Sequence, residues 1–85
     1  MSFIKEKNRI YQTNEAGTTI AEITFSQTAP GVCTIDHTFV DSSLRGQGVA
    51  AKLVGAAVDE IEGRGEQVEA TCSYAVKWLG ERRRT

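Results

Sequence analysis

Leu44-Arg45-Gly46-Gln47-Gly48-Val49-Ala50 decides how this chain is read. Two glycines and a small residue stand where one hydrophobic period gives way to another. After the turn, apolar residues recur at Ala50, Leu53, Val54, Ala57, Val58 and Ile61, which predicts an amphipathic helix from Ala50 to Glu62. Gly63 and Gly65 end it, in the place beyond a helix C-cap where glycine is favoured. Before the turn, Val32–Val40 alternates. Cys33, Ile35, His37 and Phe39 share one face, and Val32, Thr34, Asp36, Thr38 and Val40 share the other, which predicts a strand. Asp41-Ser42-Ser43 breaks it.

Working outward, Thr18–Gln27 alternates with Ala21, Ile23 and Phe25 on one face. Asn14-Glu15-Ala16-Gly17 and Ala29-Pro30-Gly31 read as turns on either side. Phe3–Tyr11 is a weaker strand candidate. Short connections make an antiparallel meander the simplest pairing of these three segments. Downstream, Gln67–Thr71 reads as a short strand anchored by Val68, and Ser73 as the N-cap of a last helix from Tyr74 to about Arg82. Ala75, Val76 and Leu79 are expected to face the core, with Trp78 beside them. The order is β-β-β-α-β-α, an α+β arrangement on a mixed sheet. Its strand–helix–strand unit calls for a right-handed crossover to a parallel neighbour.

A glycine-rich turn opening a helix is an anion site on physical grounds. The first N–H groups of a helix lack intrahelical acceptors. The helix dipole favours negative charge there. Glycine lets the backbone approach a ligand and take positive φ. A pyrophosphate fits such a site, and Arg45 can add a charge-assisted contact. No Gly-Lys-Ser/Thr follows, and no third glycine comes at dinucleotide-fold spacing, so neither a Walker loop nor a Rossmann fingerprint is present.

Arg45-x-x-Gly48-x-Ala50 resembles the acetyl-CoA pyrophosphate motif of the GNAT-type N-acetyltransferase superfamily, Q/R-x-x-G-x-G/A. Its flanks narrow the likeness. Ala21-Glu22-Ile23-Thr24-Phe25, Ile35-Asp36-His37-Thr38-Phe39-Val40, Leu53-Val54 and Cys72-Ser73-Tyr74 are similar, in that order, to a group of very small stand-alone GNAT-like proteins, from about Asn8 to Leu79. The resemblance implies the minimal acyl-CoA N-acyltransferase fold, with acetyl-CoA as cofactor and an amine as acceptor. It implies that Arg45, Gly46, Gln47, Gly48, Val49 and Ala50 hold the pyrophosphate. Backbone groups of Thr38, Phe39 and Val40 would bond the pantetheine arm, in a gap before Gln67–Thr71, and Ser73 would lie on the cofactor side. The helices that shape the acceptor pocket of larger relatives have no counterpart between the second and third strands. The acceptor side is therefore expected to be open, or completed by a partner or by self-association.

Two residues are candidates for chemistry. Cys72 lies just before a helix, where a thiol pKa is lowered, so it can serve as nucleophile. Read from its position alone, it is equally a small buried apolar residue; the resemblance sets it near the cofactor sulfur. His37 is the sole histidine, with an unperturbed pKa of about 6.5 that suits a general base. On the apolar face of its strand it can also be a hydrogen-bonded core histidine. Cys33, beside Ile35, reads as core. Glu22 is the nearest carboxylate to a conventional amine-deprotonating base, though no motif places it. One histidine and two distant cysteines give no zinc-ligand spacing.

Composition sets the bounds. Eighty-five residues make one domain, residues 1–85, with a thin core. A net charge of −1 provides no field that would draw nucleic acid or a membrane surface. The first residues lack the apolar region of a signal peptide, and no apolar run approaches membrane-spanning length. Two cysteines make no disulfide framework, so a cytoplasmic setting with reduced thiols is expected. Lys77 and Arg82-Arg83-Arg84 form a basic end that suits a solvated helix C-terminus. The functional expectation is an N-acetyltransferase acting on an amine, by direct attack or with Cys72 as acyl carrier. The alternative is a CoA- or acyl-CoA-binding module of weak or lost catalysis.

Overall fold

A computed structural model describes residues 3–83, with only the backbone of Arg83. The N-terminal segment, read above as one strand, folds back on itself. β1 (Ile4–Glu6) and β2 (Arg9–Thr13) form a hairpin about a Lys7-Asn8 turn. Asn8 favours a turn, but no glycine or proline stands beside it to mark one. The turn is held from outside, because the Asn8 carbonyl accepts a hydrogen bond from the Phe25 N–H (3.0 Å). β3 (Thr19–Ala29) and β4 (Val32–Val40) complete the antiparallel meander. α1 (Val49–Gly63) then crosses over to β5 (Gln67–Ala70), which lies parallel to β4, and α2 (Ser73–Arg83) follows. The sheet order is β1-β2-β3-β4-β5.

The helix boundaries follow local chemistry. α1 starts after Gly48, which adopts φ 71° and carries no side-chain cap, and Lys52 N–H makes the first helical bond to Gly48 O (3.1 Å). At its end Gly65, at φ 78°, donates to Glu62 O, and Glu66 N–H reaches back to Ile61 O. α1 buries Val49, Leu53, Val54, Ala57, Val58 and Ile61 against Ile10, Ala21, Ile23, Phe25 and Ile35 of the sheet. That single layer of apolar burial is the main stabilising element of the fold. α2 adds only Ala75 and Leu79 to the core, with Trp78 half-buried against Gly55. Val76, expected in the core, is half exposed. It is one residue round the helix from Ala75, and α2 meets the core along a seam too narrow to take both.

One irregularity changes the site. β3 and β4 pair as Phe25↔Ile35 and then Thr24↔His37, so Asp36 is an extra residue, a β-bulge. A strand's side chains alternate, so an extra residue exchanges the faces beyond it. Cys33 and Ile35 face α1 before the bulge. Beyond it the α1 face belongs to Thr38 and Val40, paired with Ile23 and Ala21. His37 and Phe39 turn to the other face, which no helix covers. The expectation that His37 shares the apolar face of Cys33 and Ile35 is thereby corrected: its side chain is 54% exposed.

Candidate active site

The pairing of β4 with β5 stops at Ile35↔Ala70. The Ile35 carbonyl accepts from Thr71 N–H (2.9 Å) and more weakly from Cys72 N–H (3.4 Å), after which the chain leaves the sheet for α2. From His37 onward β4 therefore has β3 on one edge and a gap on the other. Asp41 N–H bonds Ile20 O (2.8 Å), and antiparallel ladders alternate. His37 and Phe39 accordingly turn their backbone groups to β3, while Thr38 and Val40 turn theirs to the gap. Of the three residues expected to line it, Phe39 does so neither with its backbone nor with its ring.

Cys72 closes the inner end of this gap. Val76 N–H donates to Cys72 O (2.9 Å), the first helical bond of α2, so Cys72 occupies the N-cap. Ser73, expected in that role, is the first helical residue and is exposed. The Cys72 thiol donates to Thr38 Oγ1 at 3.5 Å. Partial burial pushes this thiol up. The Thr38 hydroxyl, which turns to donate to the thiolate once the proton leaves, the N–H groups of Ala75 and Tyr74 in the first turn of α2, and the Thr38 N–H outweigh burial, and the pKa is lowered. Cys33 shows the opposite. It is buried in the core, burial dominates, and its thiol is pushed up.

At the outer end, Val40 leads into a one-turn 3₁₀ segment, Ser42–Leu44, capped by the Asp41 carboxylate through the N–H and hydroxyl of Ser43. Gly46 (φ 80°) and Gly48 (φ 71°) then turn the chain into α1. Nothing lies within 4 Å of a Cβ added at either glycine, and no acidic residue stands in the first turn of α1. The helix start is thus open, uncapped and rich in free N–H donors. A concavity of about 260 Å³ lies here, lined by Val40, Leu44, Arg45, Gly46, Gly48 and Val49, with Ala50 beside them. Arg45 and Gln47 are exposed at its rim.

Sequence reasoning passed over Lys52. It is exposed, lies one turn into α1, and has no carboxylate partner among the described residues. Side chains on a helix lean towards its N-terminus, so Lys52 leans towards the glycine turn. Its signal was a cation in a first turn, where a cation is disfavoured unless an anion comes to it. A pyrophosphate therefore fits this end of the molecule: glycine backbone with room around it, orphan donors, two cations without a carboxylate partner among the described residues, and the nearby Asp41 carboxylate taken up by Ser43. A larger hollow of about 670 Å³, lined by Lys7, Asn8, Gln27, Arg64 and others, lies at the opposite end of the sheet, by Gly31, away from this turn.

His37 lies apart from Cys72's side of the sheet. On the uncovered face its Nε2 is 3.8 Å from Glu22 Oε1. Arg84 of the basic end lies outside the described residues. Arg82 pairs with Glu62 (2.9 Å). Among the described residues no group of His, Cys, Asp and Glu could hold a metal ion, and no helix is long and apolar enough to cross a membrane.

The family model for the GCN5-related N-acetyl-transferases matches residues 9–85. A GCN5-like N-acetyltransferase candidate from Staphylococcus aureus is 30% identical, with a TM-score of 0.79 over 98% of this chain and 81% of its own. Ard1 from Thermoplasma volcanium (18% identity, TM-score 0.69, 89% of this chain and 54% of its own) shares the fold. So does Rv2747 from Mycobacterium tuberculosis, solved in complex with CoA (12% identity, TM-score 0.70, 91% and 48%). The chain spans about half the length of these two larger proteins. No curated protein matches it. The chain belongs to the GCN5-related N-acetyltransferase family, a family of acetyltransferases that use acetyl-CoA.

Proposed function

We propose that residues 1–85 act as one minimal acetyltransferase domain that moves an acetyl group from acetyl-CoA to a primary amine, with Cys72 as the acyl carrier. The carrying observation is Cys72 at the N-cap of α2, with its thiol lowered and bonded to Thr38. Lowering the thiol pKa raises the share of thiolate, the nucleophilic form. Two free cysteines suit the reducing cytoplasm, where we assign the protein.

Acetyl-CoA is a substrate here and supplies an activated thioester. The glycine turn, Arg45 and Lys52 would hold its pyrophosphate, with Gln47, Val49 and Ala50 completing the turn. Thr38 and Val40 present backbone groups to its pantetheine arm. The exposed Ser73 borders the same opening. The Cys72 sulfur attacks the acetyl carbon as the donor C–S bond breaks, and the departing sulfur takes a proton from water. The N–H groups of Tyr74 and Ala75 that favour the Cys72 thiolate also make it a good leaving group in the second step, when the amine displaces it.

Incubation with acetyl-CoA alone tests this. Mass spectrometry should find one acetyl group on Cys72, removable by neutral hydroxylamine. It should be absent in Cys72→Ser and present in Cys33→Ser. A Cys72→Ser variant that transfers acetyl to amines at the normal rate would exclude the covalent route and leave direct attack. Coenzyme A binding without acetylation of Cys72 or of any amine would support a binding module instead.

A further inference from the structure

The uncovered sheet face carries a polar cluster that the cofactor reading does not use. Glu22 sits at its centre, on β3. Arg9 of β2 binds the Glu22 carboxylate through Nε, while its Nη1 lies 3.6 Å from Glu6 Oε1 and its Nη2 donates to Thr19 Oγ1 at 3.4 Å. The same guanidinium stacks on the Tyr11 ring, 3.7 Å from its centroid. Arg9 is thus fixed by contacts to three strands, and it orients Glu22. The other carboxylate oxygen, Oε1, faces His37 Nε2 at 3.8 Å. Asp36, beside His37, is occupied by the Thr24 hydroxyl (2.5 Å). The charged groups facing His37 across the four strands of this face are therefore Glu22, Asp36, Arg9 and Glu6. Three carboxylates stand against one guanidinium, and the surplus suits a cationic guest.

We propose that this face receives the acceptor as a small primary ammonium ion, and that His37, held by Glu22 and Arg9, takes its proton. The inference rests on the acetyltransferase reading above and adds the direction of approach. Thr38, whose hydroxyl meets Cys72, is the next residue to His37. Strand alternation puts these two neighbours on opposite faces, and the bulge at Asp36 sets which is which, so the imidazole stands at the lip of the gap on the side α1 leaves open. Phe39, 40% exposed on that face, offers an apolar surface to the carbon chain of an amine. The proton balance is simple. R-NH₃⁺ gives one proton to the imidazole, and the freed nitrogen lone pair bonds the acetyl carbon. The thioester C–S bond breaks with its electron pair going to sulfur, and the second nitrogen proton passes to water. His37 is the catalytic base in this step; Glu22 and Arg9 are positioning residues.

The test compares two amines near neutral pH: butylamine, which is protonated there, and trifluoroethylamine, which is largely neutral. His37→Gln should slow transfer to butylamine by at least 10-fold and transfer to trifluoroethylamine by less than 3-fold, because a neutral amine needs no base. Glu22→Gln should follow the same pattern, with partial recovery in Glu22→Asp. Independently of turnover, butylammonium added to the protein without acetyl-CoA should shift the His37 imidazole resonances in NMR, and less so in Glu22→Gln. Equal slowing of both amines, loss of Cys72 acetylation in His37→Gln, or unmoved imidazole resonances would each overturn the inference. Wild-type protein that acetylates Cys72 yet transfers to neither amine would overturn this inference alone. Wild-type protein that does not bind coenzyme A would remove the acetyltransferase reading beneath it.

Discussion

The sulfur of Cys72 lies 3.5 Å from the hydroxyl of Thr38, and so joins the end of β5 to β4 where the two strands part. A cysteine at a helix N-cap accepts from first-turn N–H groups much as a serine would, except that its anion is within reach near neutral pH. Cys72 should therefore be alkylated by iodoacetamide well before Cys33, which is buried and shifted the other way. Thr38→Val removes one donor of the set while keeping the side chain's shape, and should slow alkylation of Cys72 with little change in melting temperature. Equal alkylation rates in wild type and Thr38→Val would exclude Thr38 as a contributor.

The same shift predicts a pH dependence of stability. The Cys72 pKa is lower folded than unfolded, so the unfolded chain binds more protons between the two values. The stabilisation is fully present above the unfolded pKa, about 8.5 for a free thiol. It is lost as pH falls through the lower, folded value. Urea unfolding of wild type and Cys72→Ala should diverge as pH rises towards that limit, with wild type gaining. A gap that narrows with rising pH would contradict the assignment.

Gly48 is expected to be sensitive in two separable ways. At φ 71° a side chain is strained even with space beyond it, so Gly48→Val should lose roughly 1–2 kcal/mol of folding stability. Coenzyme A affinity should fall further, by about 100-fold or more (roughly 2.7 kcal/mol), because the new side chain stands where a phosphate would approach. Gly48→Asn is the control, since asparagine tolerates this backbone region. It should recover most of the stability and little of the binding. Calorimetric titration alongside thermal melts separates the two effects.

Arg45→Ala and Lys52→Ala should each weaken coenzyme A binding by about 1–2 kcal/mol, less than Gly48→Val does, since backbone donors carry most of the phosphate contact. Both losses should shrink at high salt, as expected for exposed charges. A Lys52→Ala variant with unchanged affinity would remove that residue from the site.

Leu53 tests the core beneath the turn. It is fully buried, and Leu53→Ala should cost about 2–5 kcal/mol by opening a cavity under α1. So thin a core makes that a large share of the total stability. Saturating coenzyme A should restore part of the lost melting temperature by mass action.

The elements that repeat a simple period were legible in the residues. Ala50 to Ile61 spell one helical face, Ala21 to Phe25 one strand face, and the glycine turn between strand and helix announces its chemistry. What escaped was phase rather than element type. Asp36 carries no mark of a bulge, since the extra residue is defined only by which residues of β3 lie opposite it. The faces of His37 and Phe39 were therefore misread. The N-cap at Cys72 was given to Ser73, because serine is the commoner cap and only the bond from Val76 to the Cys72 carbonyl distinguishes them. The Lys7-Asn8 reversal was invisible because a bond from Phe25, seventeen positions along, holds it.

The bulge at Asp36 also bears on how this chain tolerates insertion and deletion. A two-residue repeat has parity, and one additional residue inverts it for everything downstream. Removing the codon for Asp36 leaves Ile35 and His37 adjacent, so a regular β4 keeps the pairs Phe25↔Ile35 and Thr24↔His37, with His37 and Phe39 on the uncovered face and Thr38 beside Cys72. A regular β4 that kept Asp36 in the ladder would instead swing His37 and Phe39 inward under α1 and push Thr38 out to solvent. Among descendants of this sequence, loss of Asp36 should therefore be borne more readily than any change that draws it into regular pairing.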